Sequence, residues 1–303
     1  MAVTTKQSKN VAKIVGLLVE NNLKAGTYNK DGKENEYIAG TLTVRVNQMI
    51  SGKEETNEIP IYVWVGKYTK NNTVNPAYES MAKAMNNYTS LAIANSESEA
   101  TKVLISSGSI VENIYSPDGM TVRSTPRIQT SFINSITNLS GYVPEATFTM
   151  DIVVAGIDDE TDKEGLPTNR LVVKGLVCRY NGAMDHISFV VENPNAINFI
   201  RSYWQEGQTV QVSGKIRFTS KTEMIEVPTR FGDPVYRPKT TTCRELIITA
   251  DSTDVLTPEQ KFTKAEIDAG NALRMQTLEK EKERGKSAGN SAKPAAAKSD
   301  YGF

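Results

Sequence analysis

The segment EIPIYVWVGKY alternates strictly, so Ile59, Ile61, Val63 and Val65 share one face of a strand and Tyr62, Trp64 and Gly66 turn to the other. On the preceding strand the same outward face carries Thr41, Thr43 and Arg45, and Lys67 and Tyr68 continue the pattern past the strand's end. Aromatic rings beside a cation on an open sheet face suit a planar, anionic ligand, with the rings stacking and the cation meeting the charge. Rings left in water are costly, so either a ligand or another part of the chain covers them.

A second constellation lies in EVPTRFGDPVYRPKTTTCRE at 226–245, which interrupts the last hairpin and interleaves Arg230, Phe231, Tyr236, Arg237 and Lys239 among three prolines. That mixture grips a flexible backbone and stacks its bases, or else forms a structural arm packed on a neighbour. Arg123 and Arg127 in MTVRSTPRIQ fit a similar role, or that of solvated strand residues. Further along, an analogous sheet face offers Arg170 and Lys174 and, if the register slips by one residue, Arg179 and Tyr180. It is more cationic and less aromatic.

Other chemistry is sparse. The single histidine, His186, argues against hydrolases built on a histidine base and reads as structural. Cys178 and Cys243 are far apart and no CxxC or HxxxH spacing occurs, so neither a disulfide framework nor a zinc site is expected. The acidic run Asp158, Asp159, Glu160, Asp162 and Glu164 has Lys163 where a calcium loop needs glycine, and reads as a solvated hairpin tip. Neither a GxxxxGK[ST] loop nor a GxGxxG between strand and helix is present. The expectation is a binding protein without a cofactor, not an enzyme.

The elements that position these residues occur twice. RLVVKGLVCRY, HISFVVEN, a helical NPNAINFIRSYW and QEGQTVQVSGKIRF follow in order within 170–227, and a fainter copy runs through 37–114. Both helices begin at Asn-Pro pairs, Asn75-Pro76 and Asn193-Pro194. Met81 with Met85, and Ile197 with Ile200 and Trp204, would plug a barrel end. Asp31-Gly32, Ser51-Gly52, Pro117-Asp118-Gly119 and Asn181-Gly182 read as hairpin joints.

The 303 residues fit two domains, predicted at 10–140 and 141–252 after a flexible lead at 1–9. A charged helix over 253–284 follows, with a thin stripe of Ala265, Ala269, Ala272 and Leu273 and a stop near Gly285. Residues 285–303 read as a disordered tail with an aromatic tip. Formal charge is zero, with 35 basic and 35 acidic residues, so any polyanion must be held by local patches. No apolar run is long enough for a membrane span, nothing marks export, and a cytoplasmic location is expected.

GQTVQVSGKIRF at 207–218 and VLISSGSI at 103–110 resemble the strand-four region of OB-fold single-stranded DNA-binding proteins, although the first copy lacks the usual leading glycine. The resemblance implies a mainly β protein of two tandem five-stranded OB-like barrels, each with a helix between strands three and four. It implies single-stranded DNA as ligand, protected during replication or recombination. Tyr62, Trp64 and the 226–245 excursion fall where such barrels bind oligonucleotides. The tail layout is similar too, implying that Asp300, Tyr301 and Phe303 dock replication or recombination proteins. Paired barrels in Asn-rich and Lys-rich sequence resemble replication proteins of large bacteriophages. The rival reading is a structural protein, for example a virion component, using such barrels for protein contacts.

Overall fold

Alternation along 59–65 sorts the side chains as expected: Ile59, Ile61 and Val63 are fully buried and Val65 nearly so, while Trp64 is half exposed. The computed structural model describes residues 6–30, 32–227, 231, 235–251 and 256–291. The first half holds β1 (Asn10–Asn21), β2 (Lys24–Lys30), β3 (Lys33–Ile50), β4 (Lys53–Gly66), α1 (Pro76–Asn87), β5 (Lys102–Tyr115), β6 (Arg123–Gln129) and the short β7 (Asn134–Ser135). The second holds β8 (Glu145–Thr161), β9 (Pro167–Cys178), β10 (Met184–Val191), α2 (Pro194–Tyr203), β11 (Thr209–Val227) and β12 (Val235–Asp251). A helix α3 (Lys264–Ser291) follows, and the protein is mainly β.

The pairings repeat. In the first half β1 pairs with β3, β3 with β4, β4 in parallel with β6, β6 with β5, and β5 with β1 again. In the second half β8, β9, β10, β12 and β11 make the same circuit, with β10–β12 as its parallel step and β11–β8 closing it. Each circuit has a helix between its third and fourth strands in chain order. Asn75 caps α1 through its side chain and Asn193 caps α2. Met81 and Ala84 on α1, and Ile197 and Ile200 on α2, are buried in the core.

Strand pairing and ion pairs both tie the halves. β1 pairs with β8 from Asn10↔Met150 to Val15↔Glu145. Beyond it, Arg217 forks onto Glu55 of the β3–β4 hairpin and also meets Glu192 and Glu245, while Arg170 binds Glu160, Glu192 and Glu245. Burial would raise the Glu192 carboxyl, but hydrogen bonds from Arg217, Ser51 and Arg170 hold it down to about 2. A folded value below the ordinary 4.5 means that its stabilisation is complete above that pH and is lost as pH falls from about 4.5 toward 2. Acid titration followed by circular dichroism is expected to show this loss, and Glu192→Gln to flatten the curve in that window.

Three expectations change. Residues 6–9 are not a loose lead, since Ser8 exchanges hydrogen bonds with Cys178 through its amide and hydroxyl, both at 3.0 Å. The 226–245 excursion is no interruption, because β11 and β12 stay paired from Phe218↔Arg244 out to Val227↔Val235, making a long two-stranded arm. Pro238 is tolerated there because the ribbon has free edges.

Helix α3 continues past Gly285 to Ser291, and its docked side is not the alanine stripe, since Ala265, Ala269 and Ala272 are exposed. The docked side is Ile267, Gly270, Asn271, Arg274, Leu278 and Gly285. A Cβ at Gly285 would stand 2.4 Å from the Ser116 carbonyl, so the missing side chain is what lets the helix touch that turn. Charge does the rest, with Arg274 donating to both carboxylate oxygens of Glu112 at 2.7 and 2.6 Å. The expected tail from 285 is thus helical at its start.

Candidate nucleic-acid interface

The outward face of β3 and β4 is set by their hairpin. With Ile50 opposite Lys53 across the Ser51-Gly52 turn, the register brings Ala39 opposite Trp64 and Thr41 opposite Tyr62. Tyr37 then lies one diagonal step from Trp64, and its ring stacks on the indole at 6.1 Å with 21° between planes. Tyr28 on β2 packs against both, 5.9 Å from Tyr37 and 6.0 Å from Trp64. Gly26, opposite Tyr37, leaves space for the phenol: a Cβ there would come within 2.7 Å of that ring. The result is a three-ring platform in which Trp64 is 50% exposed.

The platform opens onto a groove of about 180 Å3 lined by Tyr62, Trp64, Ser107, Ser109, Gln129 and Phe132. Tyr62 also lines a neighbouring cleft of about 220 Å3, where Arg127, Phe218, Arg244, Thr41 and Asn113 gather. The Arg127 guanidinium sits 4.4 Å over the Tyr62 ring and that of Arg244 5.8 Å from Phe218. Burial pushes the Arg127 guanidinium below its ordinary value. From the cleft the arm leads outward, and Tyr236, 59% exposed, shares a ribbon face with Phe218 and Arg244. Arg237 and Lys239 fall on the opposite face, so pleating separates what the sequence interleaves.

The cations named from the sequence divide by partner. Arg45 binds Glu58 at 2.9 Å and Glu97 at 3.1 Å, Lys67 binds Glu36 at 2.5 Å, and Lys174 binds Asp158 at 2.8 Å. Arg179 holds the buried Asp185 at 2.6 Å and donates to the Glu112 carbonyl at 2.8 Å. Arg170 is enclosed by three carboxylates. Arg123, Arg127, Arg237 and Arg244 hold no salt bridge among the described residues.

Tyr68 is exposed at 44%, Tyr180 lies exposed at the β9–β10 turn, and Phe231 is exposed at the arm's end. Arg230, Asp300, Tyr301 and Phe303 lie outside the described residues. The acidic run forms the β8–β9 tip, where Asp158, Asp159 and Glu160 each pair with a cation, and the described residues hold no metal-binding cluster. His186 Nε2 donates at 3.0 Å to Oδ1 of Asn271 on α3, a packing role.

Missing from the sequence-level set are Tyr28, Tyr37, Phe218 and Arg244. The hairpin register signals Tyr37, since stepping back from Ser51-Gly52 sets it beside Trp64. No sequence signal places Phe218 near Tyr62, for the two come from different halves.

Because three carboxylates occupy Arg170, its replacement should act on folding. Arg170→Ala is expected to lower Tm, as thermal melting beside wild type would show.

The fold and this face define a mainly β protein with an aromatic surface on one of two repeated strand circuits. The chain belongs to the YorF family, whose model matches residues 9–284. No curated protein matches it in sequence. A solved deletion mutant of the single-stranded DNA binding protein from Thermus aquaticus is similar at a TM-score of 0.46 and 10% identity, over 84% of this chain and 98% of that one. Likeness at that level fixes neither fold nor function. No helix among the described residues is long and apolar enough to cross a membrane.

Proposed function

We propose that the chain binds single-stranded DNA without enzymatic activity, and that its two strand circuits are tandem OB-like barrels at about 10–140 and 141–252. The observation carrying this reading is the Tyr28–Tyr37–Trp64 platform and the groove it shares with Tyr62. Three rings in contact across three strands, one of them half exposed, match what successive bases require for stacking. Each stacked base contributes on the order of 1–3 kcal/mol, enough to sustain binding at zero net charge. Phosphates would be met by Arg123, Arg127 and Arg244, and further out by Arg237 and Lys239. Arg170 and Arg179 drop out of the proposed interface, since ligand binding would have to break buried ion pairs. A role in replication or recombination, with partners recruited through Asp300, Tyr301 and Phe303, extends this reading and is tested by deleting 300–303 in a partner-binding assay.

Tryptophan emission tests the site directly. Trp204 is buried and Trp64 is the other of the two tryptophans, so oligo-dT should quench emission through Trp64 and salt should restore it. Binding without quenching would move the site off this face. The rival reading, an assembly protein, draws on the arm, where Met224, Ile225 and Val235 are exposed. Salt-insensitive large species in size-exclusion chromatography, free of nucleic acid, would favour it.

A further inference from the structure

We infer that the cleft between the Tyr62–Arg127 pair and the Phe218–Arg244 pair is a phosphate subsite, taking a phosphodiester or phosphate monoester group between the two arginines. The guanidinium of Arg127 is the starting point. Its Nε is buried without a hydrogen-bond partner, and no carboxylate lies within salt-bridge distance among the described residues. A partly buried cation with unused donors is costly unless an anion completes it. Tyr62 packs against the guanidinium at 4.4 Å, and both side chains line the cleft.

Arg244 faces the same space from β12, backed by Phe218, its cross-strand neighbour on β11. Two guanidinium forks match the several acceptor oxygens of a phosphate better than the two of a carboxylate. Asn113 and Thr41 line the same cleft and add neutral donors. Because the first pair comes from one half of the chain and the second from the other, an anion here would bridge the aromatic face and the root of the arm. Where the phosphate belongs to a DNA strand, the inference rests on the function proposed above. Where it belongs to a free phosphate, it stands by itself.

Two assays on the full chain separate these cases, each with wild type, Arg127→Gln and Arg244→Gln. The first compares Tm in inorganic phosphate and in chloride at equal ionic strength. At phosphate about five times its Kd, wild type should gain about 2 °C, and each variant should lose that gain. The second follows oligo-dT affinity against salt, where loss of one phosphate contact should reduce the slope of log K on log salt by about 0.7. The double variant should lose no more than either single one, since both arginines grip one group.

Strand binding whose slope and affinity in both variants equal those of wild type would overturn the subsite and leave the single-strand reading standing. Arginine-dependent stabilisation by phosphate, with no strand binding, would support the subsite and overturn that reading. Equal stabilisation of all three proteins, with no strand binding, would overturn both. Should Arg127→Gln fail to fold, Arg244→Gln, on the exposed base of the arm, decides the question alone.

Discussion

Trp64→Ala is expected to weaken oligo-dT binding by about 1–3 kcal/mol, roughly 5- to 150-fold in Kd, with little effect on Tm. The indole is half exposed and its ring neighbours are Tyr28 and Tyr37, so its removal opens a surface space and no fully buried cavity. Tyr37→Ala should lose somewhat less, because part of that ring is already covered by Tyr28 and by the space Gly26 leaves. The double variant should fall short of the sum, since each ring supports the other's orientation. Anisotropy titrations of the three variants at one salt concentration check this. Affinities equal to that of wild type in all three would remove the platform from the binding site.

The second large effect concerns how α3 is held. Glu112 is buried and accepts from Nε and Nη2 of Arg274 and from the His186 amide, while its own amide donates to Asp185. Burial alone would raise its carboxyl, yet these donors, Arg274 first, hold it below the ordinary value. Asp185 goes the other way, raised by burial that its Arg179 partner only partly offsets. Glu112→Ala strands Arg274 and leaves a gap, a class of change that costs about 3–5 kcal/mol. The expected result is a first unfolding transition lower by on the order of 10 °C, with faster hydrogen exchange across 264–287. Undiminished protection of those amides would mean that apolar packing by Ile267 and Leu278 holds the helix instead.

Much of this was legible in the residues. Period-two alternation marks the strands because one face of each is buried, and Asn-Pro marks the helix starts because Asn caps while Pro suits the first turn. The face bearing Tyr62 and Trp64 follows from alternation alone. What stayed hidden depends on distant partners. Arg170 looks like a free cation until Glu245, 75 residues away, is brought beside it. The 226–245 arm hides behind its prolines, since Pro weakens any strand pattern but does not forbid a ribbon with open edges. The docked side of α3 hides because it is built from glycines, Asn271 and a buried ion pair, while the alanines that mimic an apolar stripe face water.

The central claim is that this face binds single-stranded DNA. The most direct measurement is fluorescence anisotropy with a labelled oligo-dT of about 30 nucleotides against the matching duplex, each titrated with salt, a length spanning two barrels at roughly 4–16 nucleotides each. Tight binding to the single strand that weakens as salt rises, with little binding to the duplex, is the result expected. Equal binding to both, or to neither, would contradict it.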